Sequence, residues 1–244
     1  MKAFLLAAGL GSRLRPITDV TPKCMVMIDG RPLLDIWLDA FVSARVDEVL
    51  INLHHLPDEV TRHLASRVGP PTVNAVFEPE LLGSAGTLRA NRHWVAGEDM
   101  FLVCYADNLT DFDLGSLVDT HTRHDWAATL TVFHSDRPAA GGVVELDESG
   151  MVIGFTEKPS HPVSDLTNAG MYAFNPIVLD DIGDESPTDI GYDLLPRLVG
   201  RAGAALLDGY FRDIGTVEAY RLAVSEWSAR APRAGVLAGE DKLR

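Results

Sequence analysis

The sequence predicts an α/β protein, and three observations carry that expectation. Short, mostly apolar runs of strand length recur at residues 4–6, 49–53, 73–77 and 100–105, the composition of strands covered on both faces of a parallel sheet. Stretches with helical spacing separate them at residues 32–42 and 58–66. The first and third runs empty into glycine-bearing turns, one at Gly9 and Gly11 and one at Gly83 and Gly86. A chain of 244 residues with 46% hydrophobic content can bury a sizeable core as one large or two interleaved units.

Each element has its own local reason. Residues 32–42 carry Leu34, Trp37, Leu38 and Phe41 on one stripe, which marks a helix that covers the sheet. Residues 58–66 begin with Asp58 and Glu59, favourable charges for a helix N-terminus. His54 and His55 stand just before that helix. Adjacent side chains on extended backbone point to opposite sides, and no third ligand lies nearby, so no metal role is assigned to them. Gly83-Ser84-Ala85-Gly86 opens a further helix and offers N–H groups to a base or phosphate. Asp107 follows the strand at 100–105, at the edge where open parallel sheets hold their ligands. Residues 127–133 alternate apolar residues with Thr129 and Thr131 and form another strand, while 141–146 and 152–155 flank a polar turn and read as a hairpin. Residues 189–198 are expected to be a helix that Pro196 kinks or breaks near its end. A last helix carries Val217, Tyr220, Val224 and Trp227 on one face, and residues 228–244 read as a loosely held tail.

The first turn is the place to hold phosphate. Gly9 and Gly11 let the backbone wrap closely round an anion with its N–H groups inward. Arg13, Arg15 and Lys23 add positive charge able to neutralise a polyphosphate. The segment is not a P-loop, which needs Gly-Lys-Ser/Thr, nor a dinucleotide fingerprint, which needs a small residue where Leu14 stands.

The pattern Leu6-Ala7-Ala8-Gly9-x-Gly11-x-Arg13-Leu14-x-Pro16-x-Thr18-x-x-x-Pro22-Lys23 resembles the signature of the sugar-1-phosphate nucleotidylyltransferases. Further motifs match that family in its order over roughly residues 1–225, with a look closest to the guanylyltransferases acting on mannose- or heptose-type 1-phosphates. The resemblance implies a mixed, mainly parallel sheet with Rossmann-like winding, helices on both faces and a small sugar-binding β subregion. It also implies one domain over residues 1–227, with 1–135 mainly nucleotide-binding and 136–227 mainly sugar-binding. Nucleotide binding falls to Leu6, Ala8, Gly9, Gly11, Ser12, Arg13, Lys23, Gly83, Ser84 and Gly86. Sugar-phosphate binding falls to Gly142, Glu157, Lys158, Asn168 and Gly170, and Mg²⁺ to Asp107 and Asp213. Arg13, Lys23, Asp107 and Lys158 become the catalytic set. Ala106 replaces the family's glycine before the metal-binding Asp, and Cys24 stands where relatives often have proline. From the residues alone, Glu157 and Lys158 also read as a surface ion pair and Asp107 as a turn cap.

The implied partners are an NTP, GTP favoured, and a sugar 1-phosphate; homo-oligomer formation stays open. Thymidylyl- or uridylyltransfer to glucose 1-phosphate or a related sugar or cyclitol phosphate is the alternative. A regulatory subunit that binds nucleotide sugar without turnover would be expected to lose one of Arg13, Lys23, Asp107 or Asp213, and all four are present. The net charge of −14 argues against general affinity for nucleic acid or an anionic membrane. Cys24 and Cys104 are too few for a disulfide framework, no membrane-length stretch or signal pattern occurs, and the cytoplasm is the expected compartment.

Overall fold

A computed structural model describes residues 1–230. The order is β1 (Lys2–Leu6), the small hairpin β2 (Met27–Ile28) and β3 (Arg31–Pro32), α1 (Leu33–Ser43), β4 (Glu48–Leu53), α2 (Pro57–Ser66), β5 (Thr72–Phe77), α3 (Ser84–Ala90), β6 (Phe101–Tyr105), β7 (Asn108–Thr110) and α4 (Leu114–Thr122). Then come β8 (Ala128–His134), β9 (Gly142–Leu146), β10 (Val152–Glu157), β11 (Leu166–Phe174), β12 (Ala202–Leu206), β13 (Phe211–Asp213) and α5 (Val217–Arg230). Residues 228–230 belong to α5, and the rest of the expected tail lies outside the described residues.

The main sheet runs β10-β9-β11-β6-β1-β4-β5, with β8 on β11 and β12 beyond β8. One half is parallel: β1 lies between β4 and β6, and β5 flanks β4. The other half is largely antiparallel, through β11 against β6 and β8 and through the β9–β10 hairpin. Alternate residues of the parallel strands supply two cores. Ala3, Leu5, Val49, Ile51, Leu102 and Cys104 pack with the stripe Leu34, Trp37, Leu38 and Phe41 of α1 and with α4 and α5. Phe4, Leu6, Leu50, Phe101 and Val103 pack on the other face with α3 and the segments around Leu179, Ile190 and Leu198. Both faces being buried explains why these strands read as apolar runs.

The register determines where the site can lie. Leu6 sits opposite Asn52 on one side and Tyr105 on the other, so the loops after β1, β4, β5 and β6 leave from one edge. The strand order reverses direction between β1 and β6, the place where open α/β sheets bind ligands.

One expected helix forms differently. Residues 189–198 make a π-helix at Ile190–Leu194 followed by a 3₁₀ turn at Leu195–Leu198. Pro196 has no N–H to give, and its ring would strike the carbonyl four residues earlier, so a regular α-helix cannot run through it.

Candidate active site

Two cavities open at the C-terminal edge of the parallel strands. The smaller, about 300 Å³, is lined by Leu6, Ala8, Gly9, Lys23, Asn52, Glu78, Gly83 and Ser84. The larger, about 940 Å³, takes Arg13, Gly142, Glu157, Lys158, Asn168, Gly170 and Asp213. Tyr105, Asp107 and Asp189 line both and form the junction.

The start of the glycine loop, at Ala8 and Gly9, presents free donors to the smaller cavity. The Ala7 N–H is held by the Asn52 side chain at 2.7 Å, but those of Ala8, Gly9, Leu10 and Gly11 have no partner among the described residues. Gly11 adopts φ of 61°, and its carbonyl accepts from the Thr18 hydroxyl at 2.8 Å. Gly11 and Ser12 therefore shape the loop and line neither cavity. His55 fixes the loop's far side through the Thr18 carbonyl, and His54 bonds the Glu78 carbonyl, each at 2.7 Å. Both histidines thus fasten backbone.

The second glycine turn works differently from the expectation. The N–H groups of Ala85 and Gly86 donate to the Thr188 carbonyl at 3.0 and 3.1 Å, so they are not free for a nucleotide. Gly86 is buried and set back from both cavities, with packing as its role. Gly83, at φ of 80°, lies so close to Thr188 that an added Cβ would stand 2.3 Å from its carbonyl oxygen. Only Gly83 and Ser84 of this turn reach the cavity.

At the junction, β13 pairs antiparallel with β7 and sets Asp213 opposite Asn108, beside Asp107. Lys23, with only 10% of its side chain exposed, places Nζ 2.5 Å from Asp107 Oδ2 and 3.6 Å from Asp213 Oδ1. Burial first, and the charge of Asp107 second, raise the Asp213 carboxyl above the usual carboxylate range, with Lys23 and Arg13 opposing. Arg13 reaches the same corner: its guanidinium would stand 3.0 Å from a Cβ added at Gly215. An ammonium group satisfies the two carboxylates here, and the same oxygens suit a hard divalent cation, which is often held by one or two carboxylates together with phosphate oxygens. No cluster of three or more His, Cys, Asp or Glu metal ligands occurs among the described residues.

The larger cavity is walled by the antiparallel half. Glu157, only 13% exposed, lies 3.5 Å from Lys158 Nζ, while Lys158 is 55% exposed and stands 5.7 Å over the Tyr192 ring. Burial raises the Glu157 carboxyl above its ordinary range; Lys158 opposes this and Asp189 adds to it. Gly142 leaves room for that carboxylate, since a Cβ there would come within 2.7 Å of Glu157 Oε2. Strand β11 bulges between Asn168 and Tyr172, with Gly170 at φ of 73°. The bulge re-aims Asn168, whose amide donates to the Tyr172 hydroxyl at 2.6 Å and accepts from the Gly170 N–H at 3.1 Å.

Asp189 was not among the expected site residues. Its carboxylate accepts from the Ser84 hydroxyl at 2.8 Å and from the N–H groups of Gly191 and Tyr192 at 2.8 and 3.2 Å, tying the second turn to the wall of the larger cavity. An Asp two residues before a glycine at a helix start was the available signal, but it marks a cap and not a bridge. Cys24 lines the smaller cavity, and Cys104 lines neither. Both are buried, which pushes Cys24 up to about 12 and Cys104 higher still.

A family model for nucleotidyl transferases matches residues 2–229. The mannose-1-phosphate guanylyltransferase catalytic subunit beta of Drosophila melanogaster is 35% identical over 219 residues, covering 88% of this chain and 59% of that protein. The probable mannose-1-phosphate guanylyltransferase 1 of Oryza sativa subsp. japonica is 34% identical over 244 residues, covering 95% of this chain and 67% of that protein. The chain thus spans about three fifths to two thirds of the length of these relatives. Among solved structures, a putative glucose-1-phosphate thymidylyltransferase from Bacillus anthracis superposes with a TM-score of 0.81 at 24% identity, covering 97% of this chain and 98% of that one. HddC from Yersinia pseudotuberculosis gives 0.78 at 24%, covering 93% and 99%. At that identity the two structures establish the fold.

Proposed function

The chain belongs to the nucleotidyl transferase family, and from that premise we propose that it transfers a nucleoside monophosphate from an NTP to a sugar 1-phosphate, releasing pyrophosphate. GTP and a mannose- or heptose-type sugar 1-phosphate are the favoured pair, supported by the likeness to the two guanylyltransferases. Thymidylyl- or uridylyltransfer to glucose 1-phosphate is the second reading. The observation that carries the proposal is the meeting of Asp107, Asp213 and Lys23 at the junction of the two cavities.

The reaction follows from that arrangement. A phosphate oxygen of the sugar attacks the α-phosphorus in line; the new P–O bond forms as the bond to the β-phosphate breaks, and pyrophosphate leaves with the electron pair. The attacking phosphate is already ionised, so no general base is required. Catalysis is positioning and charge neutralisation. The N–H groups of Ala8 and Gly9, with Arg13 and Lys23, hold the triphosphate and the departing pyrophosphate. Asp107 and Asp213 would hold a divalent cation, Mg²⁺ in this reading, which when bound neutralises phosphate charge. Lys158 aims the sugar phosphate, while Glu157 and Asn168 bond sugar hydroxyls. Residues 1–135 thus serve mainly the nucleotide and 136–227 mainly the sugar.

The test is pyrophosphate release in the presence of Mg²⁺, crossing common NTPs with a panel of sugar 1-phosphates. Release for one pair, abolished in Asp107→Ala, is the expected result. Absence of release for every pair would refute the reading.

A further inference from the structure

One short segment is fastened to the wall of the smaller cavity and itself forms a wall of the larger. Residues 188–192 are stitched to the second glycine turn. The Thr188 N–H donates to the Leu82 carbonyl at 2.9 Å, the Thr188 carbonyl accepts from Ala85 and Gly86, and the Ile190 N–H donates to the Ser84 hydroxyl at 2.8 Å. The same segment then walls the larger cavity with Gly191 and Tyr192. Gly191 is wedged between two carboxylates, since an added Cβ would stand 2.7 Å from Glu157 Oε2 and 3.2 Å from Asp189 Oδ1. The Tyr192 ring lies under Lys158 Nζ. Glu157 and Lys158, which serve the sugar phosphate in the proposed reading, therefore both rest against this segment.

Asp189 is the side chain that joins the two ends. It lines both cavities, with Oδ2 accepting from the Ser84 hydroxyl and Oδ1 from the N–H groups of Gly191 and Tyr192. Hydrogen bonds to a charged acceptor are shorter and stronger than neutral ones, so this carboxylate fixes the position of what it bonds. Binding groups perform only when the residues behind them lock their geometry. The path is short: Ser84 in the smaller cavity, the Asp189 carboxylate, then the backbone that meets Glu157 and Lys158.

We propose that Asp189 is a positioning residue for the acceptor, setting the Gly191–Tyr192 wall, and through it Glu157 and Lys158, from the nucleotide turn at Ser84. The inference rests on the nucleotidyl-transfer reading and adds to it a residue that acts through its neighbours. Its consequence is that a change on the nucleotide side is felt as weaker use of the sugar phosphate.

The experiment measures steady-state pyrophosphate release by wild type, Ser84→Ala, Asp189→Asn and the double variant, with the substrate pair that wild type turns over and each substrate varied in turn. Asp189→Asn keeps an oxygen for the Gly191 and Tyr192 N–H groups and replaces the oxygen that accepts from Ser84. Ser84→Ala should raise KM for the sugar phosphate by about fivefold, the worth of one hydrogen bond, and move KM for the NTP less. Asp189→Asn should do the same, and the double variant should be no worse than either single one, because both changes cut one connection. A Ser84→Ala effect confined to KM for the NTP would overturn the inference, as would single effects that multiply in the double variant. A lower melting midpoint with both KM values unchanged would overturn it too, since that is the mark of a purely structural bond. Each of these results leaves nucleotidyl transfer intact, whereas no release by wild type from any pair would refute the transfer reading instead. Ser84→Ala decides the matter by its two KM values even where Asp189→Asn does not fold.

Discussion

The two cavities are built on opposite principles. The smaller cavity, the nucleotide side in the proposed reading, lies at the ends of parallel strands and offers largely backbone: the N–H groups of Ala8 and Gly9, without partners among the described residues, and the close approach of Gly83 to Thr188. The larger cavity, the sugar side in the proposed reading, lies on the antiparallel half and is lined by side chains, with Glu157, Lys158 and Asn168 drawn from β10, the residue after it and β11. Backbone donors in a short loop suit phosphate, which is alike in every NTP. Side chains on separate strands can be exchanged one by one, which suits a substrate whose hydroxyls vary. The junction, where Lys23 spans Asp107 and Asp213, belongs to neither side and joins them.

Breaking the junction should therefore have the largest effect. Asp107→Asn keeps the side-chain shape and removes the charge; kcat should fall on the order of a hundredfold or more, about 3 kcal/mol in the barrier. Nucleotide binding, followed by protection of intrinsic tyrosine or tryptophan fluorescence, should survive in part. Equal loss of binding and turnover would mean that the junction only builds the cavity.

A pair of glycine substitutions tests the claim that the nucleotide side depends on backbone. Gly83→Ala asks for a side chain at φ of 80° against Thr188, and should destabilise by roughly 2 kcal/mol, read as a lower midpoint in urea. At Gly9 an added Cβ would meet nothing within 4 Å, so Gly9→Ala should leave stability alone and lower activity by crowding the phosphate. Comparable destabilisation by the two would erase the distinction. On the sugar side, Lys158→Ala should raise KM for the sugar phosphate by about tenfold while leaving KM for the NTP nearly unchanged.

The same contrast accounts for what the sequence revealed. The glycine loop was legible because its residues adjoin in the chain and its chemistry is local. The parallel strands were legible because burial on both faces leaves an apolar run, as in Phe101 to Tyr105. The pairing of Asp107 with Asp213 came only through family resemblance, for it depends on β13 joining β7 across about a hundred residues. The role of Asp189 was not legible at all: a cap looks the same whether or not a second turn, that of Ser84, leans on it. Gly86 misled because a glycine at a helix start signals open N–H groups, and only the folded chain brings the Thr188 carbonyl to fill them.

The smallest effect separates the two cavities by stability instead of rate. Burial raises the Glu157 carboxyl above its ordinary value of 4.5, so the folded protein holds that proton more firmly than the unfolded chain does. The stabilising contribution is then full below pH 4.5 and is lost as pH rises through the higher folded value, leaving Glu157 a net burden at neutral pH. Glu157→Gln removes that burden: at pH 7 the variant should melt slightly higher than wild type while losing affinity for the sugar phosphate, and the gain should vanish in scans below about pH 4.5. The Ser84→Ala change on the nucleotide side offers the opposite sign, since it removes bonds to Asp189 and Ile190 worth about 1 kcal/mol each and should lower the midpoint at both pH values. A Glu157→Gln protein that melts lower at pH 7 would show that the carboxylate stabilises its wall, and that the sugar side, like the nucleotide side, is held by the groups that bind.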